Sequence, residues 1–137
     1  MSYITIGTAL YNKINGIKAS AGIAVVYGQN EKSLAQYPAV TISAQGHESS
    51  FSDSAANMRI YTFMVRLFVR LEVDSTAETQ IRTVLDAIVT SLEGDTTLSG
   101  ACDWTEPADV TISEQNVEIP VKMCDMTVKC YKRVVVR

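Results

Sequence analysis

The sequence is poor in the residues that usually carry catalysis or bind metals, with one histidine and three cysteines in 137 residues. It also lacks an apolar run approaching the ~20 residues needed to span a bilayer. The segment Met1–Leu10 alternates apolar residues with Ser, Thr and Gly and has no basic stretch ahead of an apolar one, so a signal peptide is not expected. These absences predict a reducing cytoplasm as the setting and no membrane partner.

The three cysteines cannot all pair within the chain, because their number is odd. Cys124 and Cys130 lie on one predicted strand, where a rise of about 3.3 Å per residue separates their α-carbons by about 20 Å. A disulfide tolerates no more than ~7 Å. A zinc site would need closely spaced ligands such as Cys-x-x-Cys, and His47 lies far along the chain. The cysteines are therefore expected to be small buried side chains, with no metal and no cofactor.

Charge is scarce and slightly negative, since 20% of the residues are charged and the formal net charge is -3. The broad positive potential that marks most nucleic-acid-binding domains is therefore missing. With 47% hydrophobic residues the chain can bury one core, and two independent domains would not fit comfortably. We expect a single domain over residues 1–137.

No residue pattern meets the requirements of a catalytic site. His47 has Glu48, Ser49 and Ser50 as neighbours in the sequence, but neighbours in a polar loop are not held in the geometry of a catalytic triad. The glycines form neither G-x-G-x-x-G nor a P-loop. The acidic residues near Glu78 surround a predicted helix start, where the helix dipole favours negative charge. The sequence therefore predicts a protein that is not an enzyme.

Hydrophobic periodicity predicts two helices and five strands. The capping-box sequence Ser75–Glu78 marks the start of the second helix and Gly94 its stop. In chain order the predicted elements are a helix over Tyr3–Ile17 that ends near Gly16, strands over Gly22–Tyr27 and Tyr37–Ser43, a mobile loop over Gln45–Asn57, a strand over Met58–Val73, a helix over Ser75–Leu92, a strand over Asp109–Ser113, and a final strand from Val117 or Val121 to Val136. The predicted fold class is α+β, with one mostly antiparallel sheet of about five strands and both helices packed on one face.

One predicted strand has more apolar surface than a single core requires. From Tyr61 to Val73 the odd-numbered residues are apolar, as expected of a core face. The even-numbered face of the same strand mixes large apolar and cationic side chains, namely Met58, Ile60, Met64, Arg66, Phe68 and Arg70. A solvent-facing strand is usually polar. The even-numbered face is therefore predicted to meet another protein surface, unless helices cover both sides of this strand.

The order of these elements, with several short phrases of sequence, resembles the tail-terminator (tail-completion) proteins of tailed bacteriophages. The similar features are the first helix, the Tyr37-Pro38-Ala39-Val40 entry into a strand, the serine-rich loop ending near Asp53, the strand Arg59–Leu67, the helix Ala77–Leu92, the passage Leu98-Ser99-Gly100-Ala101 and the closing strands. The resemblance covers nearly the whole chain as a pattern of order and spacing, and it includes no catalytic motif.

The resemblance implies an assembly protein that forms a ring, commonly a hexamer, on the last ring of tail-tube subunits. Such a ring stops tube polymerisation, presents a surface to the head connector and lets DNA pass through its lumen. Its expected setting is the host cytoplasm during assembly and then the tail-neck region of the virion. The even-numbered face would contribute to the subunit interface. The loop Gln45–Asn57, which carries Phe51, and the turn Ser113–Asn116 would project towards the tube, the lumen or the neighbouring ring.

The sequence is also compatible with two other functions. Neck and head-completion proteins of phages have similar sizes and architectures. A small cytosolic ligand-binding or regulatory module of the α+β class would instead use the sheet face as a pocket wall, and would be a monomer or a dimer. Trp104 suits either an interface anchor or a position in the core or at its edge.

Overall fold

The computed structural model describes residues 2–28, 37–51, 56–70, 74–98, 100–115 and 121–135. In chain order the elements are α1 (Ser2–Gly16), α2 (Lys18–Ala21), β1 (Val25–Tyr27), β2 (Ala39–Phe51), β3 (Ala56–Arg70), α3 (Asp74–Gly94), β4 (Trp104–Gln115) and β5 (Val121–Val135). The predicted order of elements is confirmed, with the four-residue helix α2 as an addition.

The five strands form one sheet in the order β1-β2-β3-β5-β4. β1 pairs with β2 in parallel, and the other three pairings are antiparallel. β3 and β5 form the centre of the sheet, where the pairing runs without interruption from Ala56 opposite Val135 to Arg70 opposite Val121. The predicted fold class, α+β with a mostly antiparallel sheet, is therefore confirmed.

Both long helices pack on the same face of this sheet. In α1 the apolar residues Ile6, Leu10 and Ile14 recur every fourth position and are fully buried. In α3 the buried stripe consists of Ala77, Ile81, Val84, Ile88 and Leu92. These two stripes meet the odd-numbered residues of β3 and the inward residues of β5 in a single core. We call this face of the sheet the helix side.

The structure contradicts the prediction of a mobile loop over Gln45–Asn57. β2 continues to Phe51 and β3 begins at Ala56, with His47 opposite Tyr61 and Phe51 opposite Asn57. The sequence here is rich in Gly and Ser, which favour turns, but β3 offers a continuous row of backbone partners and pairing overrides local propensity. Gly46, at a φ of 148°, adjoins the register shift between Ala44 and Gly46. Residues 52–55 lie outside the described part of the chain.

Several strand boundaries also differ from the predictions. β1 spans three residues, whereas the predicted strand began at Gly22. β4 is twelve residues long and extends beyond both ends of the predicted strand, so Ser113 belongs to a strand and not to a turn. Pro107 is tolerated within β4 because β4 is an edge strand. The predicted ends of the long strand at residues 71–73 and of the turn at residue 116 lie outside the described residues.

Candidate interaction surface

The sheet has a second face, on the side away from the helices, which we call the open face. Its side chains come from the even-numbered residues of β3 and from the residues opposite them in register on the neighbouring strands. Those with described side chains are Ala39, Thr41 and Ser43 of β2; Met58, Ile60, Thr62, Met64, Arg66, Phe68 and Arg70 of β3; Trp104, Glu106 and Thr111 of β4; and Val121, Met123, Asp125, Thr127, Lys129, Tyr131 and Arg133 of β5.

The structure places six of the seven predicted interface residues on the open face. Five of them are half-buried: Met58, Ile60, Met64, Arg66 and Phe68. Arg70, at the end of β3, is exposed. Phe51 is the last residue of β2, and its side chain lies outside the described ones. The core residues of α1 and α3 pack against the odd-numbered side of β3, so the helices among the described residues cover one side of this strand.

Polar and apolar side chains alternate along the open face. Arg66 and Asp125 lie opposite each other, and the Arg66 Nε is 3.2 Å from the Asp125 Oδ1. The next pair on this face, towards Arg70 at the end of β3, consists of the apolar residues Phe68 and Met123. Thr41, opposite Arg66, has a hydroxyl that is shielded from solvent and lacks a hydrogen-bond partner among the described residues. The centre of this face is therefore more desolvated than an ordinary solvent-facing sheet.

An aromatic pair occupies one end of the open face. The rings of Trp104 and Tyr131 are stacked, with centroids 4.5 Å apart and an interplanar angle of 15°. Trp104 is 43% exposed, and the Tyr131 hydroxyl donates to the Glu106 Oε2 at 3.1 Å. Sequence reasoning left Trp104 between an anchor and a core-edge residue, and the pairing of β4 with β5 places it on the surface. Large aromatic side chains in this setting are typical interface anchors.

Sequence reasoning missed Tyr131, Met123 and Lys129 as parts of this surface. The signal was present for Lys129 and Tyr131, because from Cys124 to Tyr131 the apolar residues Cys124, Met126, Val128 and Cys130 alternate with the others. That alternation gave two candidate faces for the final strand, and only the register with β3 shows which face turns away from the helices.

On the helix side, the charged groups are paired near the start of α3. The Glu78 carboxylate lies 2.7 Å from the Lys122 Nζ and 2.9 Å from an Arg82 guanidinium nitrogen. The pKa of Glu78 is lowered, chiefly because Lys122 hydrogen-bonds to its ionised form. Glu78 was predicted to belong to a capping box, and the structure shows that it also joins α3 to β5. The Ser75 side chain of that box lies outside the described ones.

His47 does not lie in a solvated loop as predicted. It belongs to β2, and its Nδ1 is 2.6 Å from the Tyr3 hydroxyl of α1. The Tyr3 ring also packs edge-on against Tyr61, with centroids 4.8 Å apart. The contacts described for His47 therefore fasten the start of α1 to β2, beside Tyr61 of β3.

The three cysteines are free and buried, as predicted. Burial raises the pKa of the Cys124 thiol to about 11. The Cys102 Sγ lies 3.3 Å from the Thr105 hydroxyl, and hydrogen bonding from Cys130 lowers the pKa of Cys102 to about 7. The same contact and burial raise the pKa of Cys130. Within the described residues, no group of three or more His, Cys, Asp or Glu side chains is placed to hold a metal ion.

Three of the surface grooves lined by described residues lie along α1. The largest has a volume of about 530 Å³ and is lined by residues that include Ile4, Thr8, Lys13 and Asp95. The other two, of about 430 and 290 Å³, lie between α1 and the strands near Gly28. The ligand-binding alternative requires the open face to form a pocket wall. None of these three grooves is lined by open-face residues. Among the described helices, none has both the length and the apolar character to cross a membrane.

Comparison with known proteins finds similarity in structure only. No protein-family profile matches the chain, and no curated protein matches its sequence. Among solved structures, a chain in the virion of a native gene transfer agent particle shares the fold, with a TM-score of 0.55 and 14% sequence identity. The match covers 93% of this chain and 94% of that chain. The whole architecture, and not one motif of it, is therefore shared with a chain found in that virion.

Proposed function

We propose that this protein is a structural component of a phage-like particle that forms a ring on the end of the tail tube. The ring stops tube polymerisation and provides the surface that joins the head connector. It assembles in the host cytoplasm, stays in the virion, and lets DNA pass through its lumen without any catalytic step. The observation that carries the proposal is the open face. This face mixes apolar and cationic side chains, and the described helices of the same chain do not cover it.

The end-to-end likeness to a chain of a gene transfer agent virion supports the same assignment. Because the match spans nearly all of both chains, neither chain has a large insertion or an extra domain relative to the other. Proteins on one fold can differ in function, so the likeness supports a place in a particle, and the open face supports a role in which copies cover one another.

The physical mechanism of termination is interface completion. A growing tube ends in subunits whose strand edges and apolar patches are unpaired, and these act as templates for the next subunit. A ring that pairs with this end while presenting a different upper surface removes the template. The end of the β2–β3 pair at Phe51 and Ala56 is the part that we expect to reach the tube or the neighbouring ring.

The test is a tube-length assay followed by electron microscopy. Tubes are polymerised from the tail-tube subunit encoded in the same genome, with and without this protein. We expect shorter tubes of defined end structure, with a ring at one end. Tubes that lengthen freely in its presence would refute termination. Rings that bind the connector but leave tube growth unchanged would assign the protein to the neck instead.

A further inference from the structure

Two of the three cysteines lie against each other, although they come from different segments of the chain. Cys130 belongs to β5, and Cys102 belongs to the connection between α3 and β4. Their exposed fractions are 0% and 4%, and both side chains belong to the core on the helix side of the sheet. The two thiols are in hydrogen-bond contact. The fold therefore brings two reduced sulfur atoms together in one buried place.

The backbone holds Cys102 beside β5 through the residues that follow it. The Asp103 backbone nitrogen donates to the Tyr131 carbonyl oxygen at 2.8 Å. Thr105 lies directly opposite Cys130 in the pairing of β4 with β5. These contacts fix both the end of the α3–β4 connection and the start of β4 against the part of β5 that carries Cys130.

The Thr105 side chain completes the cluster. The Cys102 Sγ is 3.3 Å from the Thr105 Oγ1, and the Thr105 side chain also hydrogen-bonds to the Cys130 thiol. Thr105 is itself 5% exposed. Because one hydroxyl contacts both thiols, it holds the two sulfur atoms near each other within an otherwise apolar core.

The two thiols differ in how readily they ionise. Hydrogen bonding from Cys130 lowers the pKa of Cys102 to about 7, whereas the same contact and burial raise the pKa of Cys130. The thiolate is the form of cysteine that attacks a disulfide. Cys102 is therefore suited to attack first, and Cys130 is placed to react with the sulfur of Cys102 afterwards.

We propose that Cys102 and Cys130 form a reversible disulfide when the protein meets a small-molecule disulfide. The Cys102 thiolate attacks one sulfur of that molecule, and the first small thiolate leaves. Cys130 then loses its proton and attacks the Cys102 sulfur of the mixed disulfide, so the second small thiolate leaves. The two small thiolates take up the two protons that the cysteines release. The protein is oxidised by two electrons, and the small disulfide is reduced to two thiols.

Cys124 provides a matched control within the same strand. It is buried on the helix side like Cys130, with 1% of its surface exposed. At about 3.3 Å per residue along β5, its α-carbon lies about 20 Å from that of Cys130, beyond the ~7 Å that a disulfide tolerates. Burial raises the pKa of Cys124 to about 11, which disfavours its thiolate. Cys124 should therefore stay a thiol.

The new bond would fasten the α3–β4 connection to β5 and close a loop that contains β4. A cross-link that closes such a loop restricts the unfolded chain, and the melting temperature should rise by about 10 °C. In the proposed function the protein assembles in a reducing cytoplasm and leaves it in the particle, so the bond would form after release. That timing rests on the proposed function, whereas the chemistry of the pair does not.

The test is oxidation of the purified folded chain by oxidised glutathione, followed by mass measurement and peptide mapping. Because both thiols are buried, glutathione reaches Cys102 only when the α3–β4 connection opens locally, and the reaction should be slow. We expect a monomer lighter by two hydrogen atoms, with Cys102 joined to Cys130 and Cys124 free. The melting temperature should rise, and dithiothreitol should reverse both changes.

Serine variants separate the three thiols. Cys102→Ser and Cys130→Ser should each abolish the internal bond and the rise in melting temperature, whereas Cys124→Ser should keep both. The peptide map of the wild-type protein decides the outcome even if a variant fails to fold. Three free thiols after oxidation, a bond to Cys124, a bond between chains, or glutathione that stays on Cys102 would each overturn the proposal. None of these outcomes changes the tube-length result, which tests the proposed function separately.

Discussion

The two sides of β3 differ sharply, although they alternate residue by residue along one strand. On the helix side, Phe63, Val65 and Leu67 are at most 3% exposed. On the open face, Met64, Arg66 and Phe68 are half-buried and carry no covering helix among the described elements. The comparison shows that apolar content alone does not identify a core. One apolar face is covered within the chain, and the other is the face that we propose a second molecule covers.

The largest expected effect comes from truncating the same residue type on the two faces. Met126 is 1% exposed on the helix side, and Met126→Ala should lower the free energy of unfolding by ~2–5 kcal/mol because it leaves a cavity. Met64 is half-buried on the open face, and Met64→Ala should cost the single chain less than about 1.5 kcal/mol.

Chemical denaturation of both variants, read by tryptophan fluorescence, measures this difference. Met64→Ala should nevertheless impair ring assembly, since we propose that Met64 contacts a second molecule. Equal losses of stability at the two positions would mean that the open face is a second core surface of the monomer, and the comparison would fail.

The next effect concerns the aromatic end of the open face. Trp104→Ala should weaken assembly by about 2 kcal/mol, or roughly 30-fold, as expected for an exposed aromatic anchor. The melting temperature of the isolated chain should change little, because Trp104 is 43% exposed. Trp104→Phe keeps an aromatic ring above Tyr131 and should recover most of the assembly. A large loss of melting temperature with unchanged assembly would make Trp104 a structural residue only.

A smaller effect is expected for the ion pair at the centre of the open face. Arg66 and Asp125 have side chains that are 37% and 29% exposed, so solvent screens their attraction. A double-mutant cycle with Arg66→Ala and Asp125→Ala should give a coupling of about 1 kcal/mol or less in the isolated chain. The same cycle measured on assembly should give a larger coupling, because a covering subunit removes water from the pair. Equal couplings in both states would argue that this part of the face stays wet.

The smallest expected effect lies on the helix side and depends on pH. The folded state lowers the pKa of Glu78 from its ordinary value of 4.5. Its pairing with Lys122 therefore stabilises the fold above that value and is lost as the pH falls through the lowered pKa. Glu78→Gln should slightly lower the melting temperature at neutral pH and leave it unchanged in strong acid. A difference between variant and wild type that persists in acid would show a packing role for Glu78.

Periodic segments were predictable from the sequence, and segments that depend on a partner strand were not. The stripe Ile6, Leu10 and Ile14 fixed α1, and alternation from Tyr61 onwards fixed β3, because both patterns follow from backbone geometry. The second half of β2 was not predicted as a strand, because Gly and Ser residues do not favour strands. These residues form a strand because their backbone pairs with β3, which extends beside them. The open-face residues of β3 were predictable as a mixed face, whereas the contributions of β4 and β5 required the register.

The sequence by itself determined the number and order of the main helices and strands, the inward faces of α1, α3 and β3, and the burial of three unpaired cysteines. These properties depend on local periodicity and on composition. Only the tertiary structure decided the order of the strands in the sheet, that Trp104 stacks on Tyr131 at the surface, and that Val110 and Ile112 lie on the helix side of the edge strand β4. Strand order and register depend on contacts between residues far apart in the sequence, which form as one common core is buried. No local sequence pattern therefore predicts them.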